Sequence, residues 1–238
     1  SVWGSENTVC PSPLQTINYT SCHDNNTLYD RLKLTWPEAS EDVIIKMNNL
    51  AAAYTITAQG VPFIHAAEDF LRSKPLGNGE YDHNSYASGD AINSIKWSML
   101  ENEDNYDVYE YYKGLIAFRK DHAALRMTDA ADVKASITAM DGLAANVVAF
   151  AINGEVANDD DLFVIFNPNE EATTVALPEG NWEVHVNAED AGTEALATVD
   201  TEVSVEAISA MVLVKAEEAD DNTGDNNTGD DNTGDSNT

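Results

Sequence analysis

Three short stretches concentrate the side chains able to do acid–base or hydrogen-bonding chemistry. In SCHDNNTL, residues 21–28, His23 stands beside Asp24 where the strand-like run INYTSC (17–22) gives way to a polar loop. In AAEDFLRSK, residues 66–74, Glu68, Asp69 and Arg72 follow a second apolar run, VPFIHAA (61–67). Asp82, His83 and Asn84 lie in a stretch rich in Gly, Asn and Asp from Ser73 to about Asn93, longer than most connections in a compact domain. An Asp directly after a parallel strand occupies the place where α/β folds present groups to ligands, the carboxyl ends of the strands. The three clusters are therefore expected to meet on one face. Each has a plainer alternative: His23 and Asp24 as a local hydrogen bond, and Glu68 with Arg72, four apart, as a helical ion pair.

Other chemistries find no support in the pattern. The five His residues form no HxH or HExxH pair, so no metal centre is expected, and neither the sequence nor its acidic tail shows a calcium-loop spacing. A GxSxG elbow and a glycine-rich phosphate loop are both lacking. No cofactor is expected. Carboxylates, amides and aromatic rings together suit a neutral, polyhydroxylated ligand, because sugars offer hydroxyls to acids and apolar faces to rings.

The elements that would position these groups follow from local pattern. Ser40 as N-cap, Glu41 and Asp42 in the first turn, and Val43, Ile44, Met47, Leu50 and Tyr54 on one face predict a helix that Gly60 ends. With INYTSC before it and VPFIHAA after it, the order is β, α, β. Helical spacing returns in residues 105–125, where Val108, Tyr111, Tyr112, Leu115 and Phe118 share a face. From about Arg126 to Ala216 the pattern becomes short runs separated by turn signals: VKASITAM, NVVAFAI, DLFVIFN, ATTVAL, NWEVHV and VSVEAISAMVLV. Six or more such strands argue for an antiparallel β-sandwich. The last 22 residues repeat NTGD and have almost nothing to bury, which predicts disorder.

Composition bounds the partners. At 238 residues, with 43% hydrophobic residues, the chain can bury an ordinary core. Twelve Lys and Arg face 42 Asp and Glu, and a formal charge of −30 repels nucleic acid and anionic membrane surfaces. No run reaches the roughly 18 apolar residues of a membrane span. Cys10 and Cys22 are too few for a disulfide framework, with one bridge between them left open.

Four motifs in order, TINYTSCHDNNTLYDRL, MNNLAAAYTITAQGVPFIHAAEDFLRSK, YDHNSYASGDAINSIKW and DVYEYYKGLIAFRKDH, resemble the closing part of a type I pullulanase, a debranching enzyme of the alpha-amylase superfamily. The resemblance implies α/β plus all-β architecture: residues 1–125 as the last two β/α units of a (β/α)8 barrel, residues 126–216 as a C-terminal β-sandwich, and residues 217–238 as an acidic tail. It implies Asp24 as transition-state stabiliser, with His23, Asn25, Arg72, Asp82 and Asn84 binding substrate. The family usually has Gly-Glu-Glu where Ala67, Glu68 and Asp69 stand, and a common Gln where His65 stands. The implied reaction is hydrolysis of α-1,6-glucosidic bonds in pullulan, branched starch or glycogen, by a secreted or cell-surface bacterial enzyme.

Retaining cleavage needs a carboxylate nucleophile and a carboxylic acid about 5 Å apart. The family carries these on its fourth and fifth barrel strands, outside the four motifs, so this chain alone is expected to be inactive. Its expected partners are α-glucan and either the remaining barrel units or a second copy of itself. Two alternatives stand beside this reading: a non-catalytic glucan-binding or structural module, and part of an isoamylase or α-1,4-acting relative.

Overall fold

The computed structural model describes residues 10–216, so the predicted disordered tail lies outside the described residues. The first elements are β1 (Ile17–Asn18), α1 (Leu28–Thr35), α2 (Glu41–Thr57) and β2 (Val61–Pro62). β1 and β2 pair in parallel, Ile17 opposite Val61, which realises the β, α, β order with much shorter strands than the apolar runs. Backbone bonds from Val61 N to the Thr16 carbonyl and from Phe63 N to the Asn18 carbonyl extend the ladder at both ends.

The sequence reading missed α1. Its signal was present: Thr27 is the N-cap, its hydroxyl accepting the Asp30 backbone N–H at 3.1 Å. α2 starts where expected, with the Ser40 hydroxyl accepting from Val43 N. Its C-terminal carbonyls are met by a side chain rather than by a glycine cap. The buried Arg119 guanidinium donates to the carbonyls of Ile56, Ala58 and Gly60 at 2.7–2.8 Å.

The long polar stretch is not structureless. It contains a hairpin of β3 (Pro75–Gly77) and β4 (Glu80–Tyr81), a 3-10 turn at Ser85–Ala87, and the single turn α3 (Asp90–Asn93). α4 (Glu103–Asp121) then buries Val108, Tyr111, Tyr112, Leu115 and Phe118, the face that the spacing predicted. VKASITAM differs from expectation. Asp129 caps a short helix, α5 (Ala130–Ser136), and only β5 (Ile137–Ala139) is extended.

The remaining strands are β6 (Val148–Ile152), β7 (Leu162–Asn167), β8 (Thr173–Ala176), β9 (Trp182–Val186), β10 (Ala197–Val199), β11 (Glu202–Val205) and β12 (Ser209–Lys215). VSVEAISAMVLV thus splits into β11 and β12. The buried Asn167 holds the turn between them, its amide donating to the Val205 and Glu206 carbonyls. Six strands form one antiparallel sheet in the order β10-β9-β12-β7-β6-β5, and β8 pairs with β11 in a separate ladder.

β7 is buried at every position, which requires cover on both faces. Phe163 and Ile165 pack with Met211 and Leu213 of β12 and with Val175, Val203 and Val205 of the β8–β11 ladder. Leu162, Val164 and Phe166 point the other way, into a cluster that includes Ala53 and Ile56 of α2 and Leu115 and Phe118 of α4. The β-sheet core therefore continues across residue 125 into the helices. A bulge in β9, where Val186 and Val184 face consecutive residues of β12, moves Val186 to the helix side. Cys10 and Cys22 are both free thiols, so the bridge left open by the sequence does not form.

Candidate functional site

The predicted clusters come together around a lysine that the sequence reading passed over. Lys74 is 2% exposed, and its Nζ donates to the His23 carbonyl at 3.1 Å. Burial lowers its pKa, and Asp24, Asp30 and Asp82 partly restore it while Arg72 opposes them, so all four charges act on one point. Asp30, fully buried at the start of α1, fixes this lysine's backbone: one carboxylate oxygen accepts from Lys74 N at 2.9 Å and the other from the Ser73 hydroxyl. A loop after β1 and a loop after β2 are thereby tied together.

His23 and Asp24 project from that tie into solvent. Their side chains are 86% and 71% exposed, and His23 Nδ1 lies 3.5 Å from an Asp24 oxygen, a loose contact that leaves both groups available. Asn25 follows at φ 64°, a left-handed turn that Asn tolerates. Asp82 is held by the Ser88 hydroxyl at 2.5 Å and by Asn84 N at 3.0 Å, and these bonds lower its pKa. Asn84 is exposed and contributes only its backbone to that turn. Arg72 donates to the Ala66 and Asn93 carbonyls and to His65 Nε2, so it links the β2 loop to α3.

Glu68 does something other than pair with Arg72. It is 5% exposed, and its carboxylate accepts from Thr20 at 2.9 Å, Ser21 at 2.6 Å and Tyr112 at 3.3 Å. Burial raises its pKa, while these three bonds pull it back. The i, i+4 geometry required for an ion pair is absent because Leu71 is left-handed and ends the 3-10 turn of Glu68–Phe70. Asp69, half-buried, also has a raised pKa, through desolvation.

His65 joins the two layers of this arrangement. Burial and the neighbouring charges of Arg72, Lys74 and His23 lower its pKa from 6.5 to about 4, so it is neutral at physiological pH. With Nε2 accepting from Arg72, Nδ1 carries the proton and faces the Ser21 hydroxyl at 3.5 Å, and that hydroxyl donates to Glu68. A chain of polar groups thus runs from the exposed face to the core tyrosine Tyr112, which in turn accepts from Asn48 of α2. The arrangement presents exposed carboxylate and imidazole groups on a rigid, hydrogen-bonded floor.

Sequence reasoning singled out His23, Asp24 and the residues grouped with them and assigned no role at this site to Asp30, Lys74, Ser21 and Tyr112 beneath them. Thr27-x-x-Asp30 was a legible capping signal, but no local pattern shows that Lys74 folds inward. Among the described residues no group of three or more His, Cys, Asp or Glu side chains is arranged to hold a metal. No helix among them is long and apolar enough to cross a membrane.

Comparison with known proteins bears on this geometry. The family model described as the pullulanase all-beta domain matches residues 133–190, from α5 to the turn after β9. A pullulanase of Bacillus subtilis is 33% identical over 180 residues, covering 75% of this chain and 24% of that protein. Pullulanase from Bacillus acidopullulyticus superposes with a TM-score of 0.83 at 35% identity, over 90% of this chain and 26% of that one. The pullulanase from Anoxybacillus sp. LM18-11, solved in complex with maltotriose, gives 0.77 at 29% identity over 90% of this chain and 29% of that one. The chain spans about a quarter or less of the length of the curated relatives it matches. Likeness in sequence and in fold, running through both the helical part and the sheet, identifies this chain as a pullulanase-type fragment.

Proposed function

We propose that this chain carries one wall of a debranching active site, in which Asp24 stabilises the oxocarbenium-like transition state and His23, Asn25, Arg72, Asp82 and Asn84 hold the glucose units around the scissile bond. The reaction served is hydrolysis of α-1,6-glucosidic bonds in pullulan and in branched starch or glycogen. The observation that carries this reading is the tie through Lys74, which brings the loops after two parallel strands to one point, as the strand ends of a (β/α)8 barrel would. Residues 10–125 then act as two units of that barrel, and the exposed face of β1 and β2 is the part its other units cover.

An anionic stabiliser acts on charge that a nucleophile and a proton donor first create, so Asp24 alone accelerates little. A reducing-sugar assay of this chain on pullulan should show no turnover, whereas maltotriose should perturb the NMR signals of His23 and Asp24, and Asp24→Ala should weaken that binding. Turnover abolished by Asp24→Ala would show the chain to be competent by itself. Absence of any perturbation at His23 and Asp24 would remove the substrate-binding roles.

The 86% and 71% exposure of His23 and Asp24 favours binding as a second reading, since nothing here excludes water from them. On that reading the chain holds glucan without cleaving it.

A further inference from the structure

Beside the tied loops lies a groove of about 490 Å³, bounded by Tyr29 of α1, Ser73 just before the hairpin and Tyr81 of β4 within it, and Asn102, Asp104 and Asn105 at the start of α4. Four of its wall groups, Tyr29, Ser73, Asn102 and Asn105, are already held on their far sides. The Tyr29 hydroxyl donates to Glu41 at 2.5 Å, and Lys33 holds the other oxygen of that carboxylate at 2.9 Å. Asn102 uses its carbonyl oxygen to accept Asn105 N at 3.1 Å, which leaves its NH₂ unspent. Asn105 uses its NH₂ on the Phe70 carbonyl at 2.8 Å, which leaves its oxygen. Ser73 donates to Asp30 and keeps its lone pairs. The Asp104 carboxylate is exposed.

Groups fixed in this way do not lose further rotamer freedom when a ligand arrives, so each remaining donor or acceptor is available at low entropic cost. The unspent set mixes donors (the Asn102 amide, the Tyr81 hydroxyl) with acceptors (Asn105, Ser73, Tyr29, Asp104). Between them stand apolar surfaces: the two tyrosine rings, Leu71, Pro75 and Met99. A pyranose presents the same alternation, hydroxyls at its rim and C–H groups on its face. Glu41 and Asp104 repel anionic ligands, and the volume falls within the range of roughly 300–1,000 Å³ typical of small-molecule sites.

We propose that this groove is a second α-glucan contact, separate from the face of His23 and Asp24, which holds two or three glucose units of the same branched chain. The inference rests on the glucan reading given above. It adds a mechanical link as well. Ser73 both lines the groove and bonds Asp30, the residue that fixes the backbone of Lys74, whose ammonium holds His23. A sugar seated in the groove therefore leans on the same tie that presents Asp24.

The test is a titration of the full chain with maltotriose, followed by amide and side-chain NMR signals, in the wild type and in the Tyr81→Phe, Tyr81→Ala and Asp24→Ala variants. Signals of Asn102 and Asn105 are expected to shift in the wild type and equally in Asp24→Ala. In Tyr81→Ala the same shifts should require about tenfold more sugar, and in Tyr81→Phe, which keeps the ring and removes one hydroxyl, a few-fold more. Tyr81→Phe guards against collapse of the hairpin, which unchanged signals elsewhere would also exclude. Shifts at His23 and Asp24 with none at Asn102 and Asn105 would overturn the second site while leaving the catalytic-face reading intact. Shifts at Asn102 and Asn105 that disappear in Asp24→Ala would make the two one site and overturn the inference. A response to calcium chloride at Asp104, with none to maltotriose, would make the groove a cation site and overturn it too. Silence at both places would overturn the glucan reading itself.

Discussion

Lys74 shows how much of a site can hang on a side chain whose own motif assigns it no part. Its ammonium is withdrawn from water to hold one carbonyl, and three carboxylates offset the cost of burying it. Lys74→Met leaves the backbone bond to Asp30 in place but frees the His23 loop, so maltotriose binding at Asp24 should weaken several-fold. It also leaves Asp30, whose pKa burial already raises, without its cation. The accompanying loss of stability should be greatest at neutral pH and shrink as pH falls through the pKa of Asp30, which denaturant titrations at several pH values would read. His65 makes the opposite contribution. Its folded pKa of about 4 lies below the ordinary 6.5, so its share of stability is whole above pH 6.5. As pH falls from 6.5 towards 4 the unfolded chain takes up a proton that the folded one refuses, and that share is lost. His65→Gln should flatten the pH dependence over that window, and an unchanged slope would show that the imidazole is not held neutral. His23, Asp24, Asn25 and Asn84, which are exposed, and Arg72 and Asp82, which are half-buried, were singled out in the sequence because the family likeness implies roles for them. Ser21, Asp30, Lys74 and Tyr112 lie in the same motifs, but their part was not legible, because inward direction is set by packing between segments that are distant in sequence.

At the level of elements, periodicity served best where an element has one buried face. α4 and the start of α2 were legible because their apolar spacing and N-caps are local properties. VKASITAM was misread because Val and Ile alone do not separate a short helix from a strand, and the deciding signal was the Asp129 cap. The last strands ran together because Glu206 to Ile208 carries no Gly, Pro or Asn. That turn is instead enforced from outside by Asn167, with Ile208 at φ 49°. Gly114 shows a further constraint hidden from pattern. It sits within α4, where glycine costs about 1 kcal/mol relative to Ala. A Cβ there would stand 1.8 Å from the Ala191 carbonyl oxygen, so glycine is what lets the turn after β9 lie against the helix. Gly114→Ala should therefore destabilise by about 1–3 kcal/mol despite its better helix propensity, measurable by urea unfolding. A gain in stability would mean that the turn yields freely.

For the whole molecule, two opposing surfaces decide behaviour in solution. The ladder of β1 and β2 exposes Ile17, Tyr19, Val61 and Phe63 at 62%, 55%, 39% and 44%. Tyr19 and Phe63 meet edge to face at 6.1 Å, which completes a small apolar patch with unpaired strand edges at either side. A formal charge of −30 pushes copies apart. Added salt screens the second effect more than the first, so sedimentation should show association that grows with sodium chloride and is reduced by Tyr19→Ser with Phe63→Ser. Association independent of those two residues would place the contact elsewhere.

The cluster shared between α2, α4 and the even-numbered residues of β7 bears on how such proteins can be recombined. A sheet whose one face is finished by helices from the preceding part of the chain is not a portable module. Any exchange of the β-rich part between relatives, whether in evolution or in the laboratory, must carry the helical face along or rewrite Leu162, Val164 and Phe166 to meet a new one.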